Sequence, residues 1–230
     1  MRNTFKFMAG GLAALLITGA AVAQSYPERT IRFVVGFPPG GGTDVVTRLL
    51  ANHMTQSMKQ QVIVDNRPGA ASNIGAELVA KSAPDGYTIF MGTISTSSNR
   101  TLYKNLKYDA LKDFAPVSQV VDTPFLFAIH PSLPPQNLKQ FIAFAKARPG
   151  QLNYASAGNG SGAHLFSEMF RMMTKVDIVH IPYKGASPAT TALLSGEAMF
   201  KLDNIVTTLR LARDGKVRAL AVTTLKRSPA

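Results

Sequence analysis

The segment Gly36-Phe37-Pro38-Pro39-Gly40-Gly41-Gly42-Thr43-Asp44 joins a short apolar run to an amphipathic one. Glycines let a backbone approach a ligand closely, and the free N–H groups at a helix start favour an anion. Gly36 and Gly41 have the spacing of a phosphate-binding loop, but Gly42 stands where that loop needs Lys. Val45 likewise replaces the third glycine of a dinucleotide fingerprint, and Pro38 and Pro39 remove two donors. What survives is an anion cradle without phosphate-transfer machinery, suited to a carboxylate; its candidate contacts are Phe37, Pro39, Gly40, Gly41 and Thr43. The same residues also read as a tight turn capped by Thr43 or Asp44.

Three further loops belong with it. Asn66-Arg67-Pro68-Gly69-Ala70-Ala71-Ser72 follows the next strand-like run and offers Asn66, Gly69 and Ala70, or is an ordinary turn. Ser156 to His164 sets small residues between a strand and a helix, a second cradle with Ser156, Gly158, Gly160, Ser161 and His164 as candidates. A nucleophile–base pair of Ser161 and His164 is the enzymatic alternative. A nucleophile elbow, however, needs Gly two residues before and after the Ser, where this chain has Asn159 and Ala163. In His180 to Pro188, Tyr183 offers a flat ring and a hydroxyl, and Lys184 a charge that attracts acids. Asp203 is placed to meet a ligand amine or brace a loop. The acids otherwise form no close pair, which leaves glycosidase and divalent-metal chemistry without support.

These loops need rigid elements to hold them. Ile31 to Val35 is a β-branched run, and residues 44–59 place Val45, Val46, Leu49, Leu50, Met54 and Met58 on one helical face. Strands over residues 61–64 and 87–91 flank a helix over 74–81, an alternation that predicts parallel strands with crossover helices. Residues 115–121 and 125–129 form two extended apolar segments joined through Asp122-Thr123-Pro124, which reads as a two-strand passage between domains. Alternation then resumes, with helices over 137–146, 163–174, 188–194 and 205–214. The accompanying strands fall at 152–155, 178–181, 198–202 and 217–222. The sequence stops just after the last, buried-looking strand and reads as interrupted.

With 25 Lys+Arg against 13 Asp+Glu the formal charge is +12, hydrophobic residues make up 46%, and Cys is absent. No disulfide, thiolate metal site or thiol nucleophile is then available, and four His leave little room for an all-His cage. Residues 1–23 carry Arg2 and Lys6, an apolar run and then Ala21-Val22-Ala23, the three-part pattern of a cleaved signal peptide. The apolar run is shorter than the roughly 20 residues that span a bilayer. A basic secreted chain can serve as an anion-binding or nucleic-acid-binding surface protein. The basic residues here are scattered and not interleaved with aromatics, which argues against nucleic acid.

Taken in order, Pro39-Gly40-Gly41 with Asp44 and Arg48, Asn66-Arg67-Pro68-Gly69-Ala70, Asp85-Gly86-Tyr87-Thr88, Tyr108-Asp109 with Asp113-Phe114, Ser156-Gly158-Gly160-Ser161-His164-Leu165, Pro182-Tyr183-Lys184-Gly185 and Ala219-Leu220-Ala221-Val222-Thr223 form one ordered set. That set closely resembles the Bug family, the periplasmic solute-binding proteins of tripartite tricarboxylate transporters. The resemblance implies an α/β, type II periplasmic-binding-protein fold: two α/β domains with a ligand cleft between them. Residues 24–121 would give the first part of domain 1 and 122–230 domain 2, with a C-terminal return to domain 1 missing. It also implies a monomer without catalytic group, cofactor or nucleic-acid partner, which captures a small di- or tricarboxylate and hands it to membrane components. In the family, the loops matching 37–43 and 156–161 face each other and hold carboxylates through backbone N–H groups and water. Which acid is bound, and whether the end use is transport or sensing, stay open.

Overall fold

The computed structural model describes residues 26–228, so the expected signal peptide lies outside the described residues. Two sheets organise the chain. The first is parallel, in the order β2-β1-β3, from β1 (Ile31–Val35), β2 (Val62–Asn66) and β3 (Thr88–Phe90). Its crossovers are α1 (Gly42–Met58) and, after a 3₁₀ turn at Ala70–Ser72, α2 (Asn73–Ala80). Ile31, Phe33 and Val35 alternate onto the face that meets Ala51 and the half-buried Val46, Leu50 and Met54 of α1. Period two in the strand and period 3.6 in the helix thus build one core. After β3 comes α3 (Ile94–Leu102), a helix the sequence did not announce.

The second sheet has the order β6-β5-β7-β4-β8. Its strands are β4 (Phe125–Ile129), β5 (Leu152–Ser156), β6 (Ile178–Pro182), β7 (Phe200–Asn204) and β8 (Arg218–Val222). Its helices are α4 (Leu138–Lys146), α5 (Gly162–Thr174), α6 (Ala186–Ser195) and α7 (Ile205–Arg213). Phe127 and Phe200, on adjacent strands, stack at 5.1 Å and 4°, and Phe141 meets both edge-on. Buried aromatic rings of this size dominate the free energy of a core, and truncating one costs about 3–5 kcal/mol.

Three expectations change. The second sheet is mixed: β4 runs antiparallel to β7 and β8, while β5, β6 and β7 are parallel. Hydrophobic periodicity reports which face is buried and says nothing about direction. Residues 115–121 pair with no strand and are largely exposed, so the two-strand passage is a single strand preceded by an extended connection. β8 lies at a sheet edge with its residues only partly covered.

Candidate functional site

The parallel strands end facing one another, and between the two sheets lies a cavity of about 360 Å³. Five helices begin at it. Gly41, Gly42 and Thr43 bring the start of α1; Thr93, Ile94 and Ser95 that of α3; Ser161, Gly162 and Ala163 that of α5; Ala186 that of α6; and Asp203 with Asn204 that of α7. Each start presents N–H groups with no partner inside the helix, at the positive end of the helix dipole.

α1 and α6 are the starts whose N-cap is a glycine. That of α1 is Gly41, which has no side chain to cap the first turn. The acid in that turn, Asp44, looks away from the helix: it accepts from the Gly40 N–H at 3.0 Å, from Asn66 Nδ2 at 2.9 Å and from Arg48 Nε at 3.0 Å. Burial opposes its ionisation, but the hydrogen bonds from Arg48, Gly40 and Asn66 outweigh that and hold the carboxyl below its usual range. Asn66 also donates to Phe37 O at 2.9 Å and accepts from Arg48 at 2.8 Å. Asp44 and Asn66 therefore set the shape of the first cradle. At the start of α3 the Thr93 N–H donates to Thr96 Oγ1 at 3.1 Å, and the Thr93 hydroxyl is buried at the cavity wall.

In the second cradle Ser161 Oγ caps α5, accepting from the His164 N–H at 3.3 Å. The His164 ring turns elsewhere: Nδ1 accepts from the Gly160 N–H at 3.2 Å, and the ring stacks on His180 at 4.4 Å. His180 Nε2 lies 2.7 Å from Ser156 Oγ, which in turn accepts from the Gly158 N–H at 3.1 Å. Burial lowers the pKa of both imidazoles; for His180, with His164 adding to the effect, it falls to about 4. At neutral pH the pair is uncharged and braces the loop.

Among the sequence-predicted site residues, Phe37, Gly41, Thr43, Ser161 and Asp203 line the cavity. Pro39, Gly40, Asn66, Gly69, Ala70, Ser156, Gly158, Gly160, His164, Tyr183 and Lys184 lie outside its lining. Tyr183 bonds Glu197 through its hydroxyl, and Lys184 is exposed. Gly69 sits beneath Ile74, and Ala70, Ala71 and Ser72 follow with positive φ. Asp203 Oδ2 receives Lys201 Nζ at 2.8 Å, Thr208 Oγ1 at 3.0 Å and Thr207 Oγ1 at 3.3 Å. Sequence reasoning missed the α3 start, Asp122-Thr123, Asn204 and the apolar walls Val46, Met91, Phe125 and Phe166. The run Thr-Ile-Ser-Thr-Ser after β3 was the one signal that could have revealed α3, since Thr and Ser are favoured caps.

The two halves touch around the cavity rim. Ser95 Oγ donates to Gly160 O at 2.9 Å, Ser187 Oγ to Pro39 O at 3.4 Å, and Gly185 lies against the Pro38 ring. Among the described residues no group of three His, Cys, Asp or Glu is placed to hold a metal, and no helix is long and apolar enough to cross a membrane.

Two α/β halves with a cavity between them, lined by helix starts from both, define a periplasmic-binding-protein fold. The chain belongs to the tripartite tricarboxylate transporter family receptors, whose family pattern matches residues 46–230. Protein BugT of Bordetella pertussis is 40% identical over 219 residues, covering 94% of this chain and 67% of the relative. Among solved structures, periplasmic binding protein BugD superposes with a TM-score of 0.84 at 38% identity, covering 89% of this chain and 68% of BugD. A Rhodopseudomonas palustris protein with adipate gives 0.85 at 38% identity, covering 88% and 68%. MatC from the same organism with bound malate gives 0.83 at 34% identity, covering 89% and 70%. The chain thus spans about two thirds of the length of these relatives.

Proposed function

We propose that this protein is an extracytoplasmic receptor that captures a small organic carboxylate and presents it to the membrane components of a tripartite tricarboxylate transporter. One observation carries the reading: five helix starts from both halves converge on one cavity, and those of α1 and α6 have no cap of their own. Such N–H groups bind a carboxylate without any catalytic side chain. The ligand contacts are the N–H groups of Gly42, Thr43, Gly162 and Ala163, with the hydroxyls of Thr43 and Thr93 and the ring of Phe37 beside them. Capture works by shifting an open–closed equilibrium, the rim contacts forming as the halves meet. A periplasmic site of action follows from the signal-like residues 1–23 and from the periplasmic relatives.

The test is Gly41→Asp. Gly41 has φ −80° and ψ 165°, a conformation open to any residue, and an Asp there would cap α1 with its own carboxylate. A Cβ there would lie 3.3 Å from Ala186 Cβ, so the variant should still melt cooperatively near the parent temperature while losing the stabilisation that acids give the parent chain. Retained acid binding would remove α1 from the site. The hydrolase alternative has no geometric support, because the Ser161 hydroxyl meets the backbone of His164 and not its ring.

A further inference from the structure

Resting on that receptor reading, we infer that the ligand is an acid with an apolar body, an alkyl or aryl carboxylate, and that the cavity discriminates against hydroxylated tricarboxylates. Among the described residues, no Lys, Arg or His lines the cavity. The basic side chain nearest in the chain to its acidic wall, Lys201, has its ammonium committed to Asp203, Ala186 O and Thr190 Oγ1 at 2.8–3.0 Å. The two charged residues in the lining are both acids, Asp203 and Asp122. Asp122 is exposed, with no hydrogen bond or ion pair among the described residues. One carboxylate can be satisfied by helix starts, but every further one must be desolvated without a cation and beside Asp122.

Much of the remaining wall is apolar, with Thr123 and Asn204 as its polar members. Ile94 and Val121 are 45% and 50% exposed, and both face this cavity. Phe125 and Phe166 pack against each other at 4.6 Å with their rings tilted by 55°, and Phe37, Val46 and Met91 continue the surface. Apolar surface left uncovered inside a cavity gains from an apolar occupant. Carboxylate recognition by backbone fixes one end of the ligand, and this wall selects the other.

The homologous series propionate, butyrate, valerate and hexanoate, titrated calorimetrically into the full chain with citrate and benzoate as companions, tests the assignment. Affinity should rise about fourfold per methylene, the gain of one buried CH₂, and citrate should bind at least tenfold more weakly than hexanoate. Ile94→Asn, at an exposed position, and Phe166→Ala should flatten the series, each lowering hexanoate affinity more than propionate affinity. Asp122→Lys should raise citrate affinity. A flat series in the parent chain, citrate binding above hexanoate, or an unchanged slope in both wall variants would overturn the apolar-body assignment and leave the receptor standing. Absence of both heat and a raised melting temperature with all of these acids, and with adipate and malate, would overturn the receptor reading itself.

Discussion

Asp44 shows how one buried side chain sets a binding loop. Its carboxylate ties Gly40, Asn66 and Arg48 together, and Asn66 passes the restraint to Phe37. Asp44→Ala would leave the Gly40 N–H and the Asn66 amide without their acceptor, at a cost of about 1–3 kcal/mol, read from urea unfolding. Acid affinity should fall with it, because the first cradle loses its brace. His180 supplies a separate test in pH. An unfolded His takes its proton near pH 6.5, whereas the folded His180 resists until about 4. Between these values the unfolded state binds more protons, so stability is full above pH 6.5 and declines as pH falls toward 4. Melting followed from pH 7 to 4 should show that decline, and His180→Gln, which keeps a partner for Ser156, should shallow it.

At the level of elements, the helix starts divide into capped and open ones. α5 and α7 use Ser161 and Asn204 as caps, whereas α1 and α6 begin at glycines without one. Ser161→Ala should therefore cost about 1 kcal/mol of stability, and ester turnover should not respond to it. Loss of a genuine esterase activity in that variant would reinstate the enzymatic alternative. The glycines also hold the elements close: a Cβ on Gly42 would lie 2.8 Å from Asn204 Cγ, and one on Gly162 would lie 2.7 Å from the Phe125 ring. α1 meets α7, and α5 meets β4, at distances that leave no room for a side chain.

For the whole molecule, the rim contacts are what join the two halves. Gly185 has φ +121°, and a Cβ there would meet the Pro38 ring at 2.7 Å. Gly185→Val should hold the halves apart, enlarging the radius of gyration in X-ray scattering and weakening acid binding by tenfold or more. In the parent chain, an acid at a hundredfold excess over its dissociation constant should add about 2.7 kcal/mol of stability. The formal charge of +12 makes nucleic acid a necessary control. Attachment through scattered surface cations should weaken steeply with salt, whereas binding in a cavity lined, among the described residues, by no Lys or Arg should change little.

The sequence by itself determined the alternation of strands and helices, the glycine-rich loops at the strand ends and the family to which those loops belong. Each of these is written in local chemistry: β-branched runs, helical periodicity, and glycine where backbone must come close. It did not reveal α3, because Ile-Ser-Thr-Ser-Ser-Asn-Arg-Thr-Leu has little helix propensity and depends on packing, with Asn99 bonded to Ala71 O and Asn73. Nor did it reveal the reversed direction of β4. Asn66, Gly160 and His164 were legible as loop residues but not as braces, since a side chain that shapes a cradle and one that touches the ligand are of the same type. The tertiary structure alone decided which wall is apolar, which helix starts are uncapped and where Asp122 falls. These depend on which side chains from distant segments meet, and spacing along a chain carries no record of that.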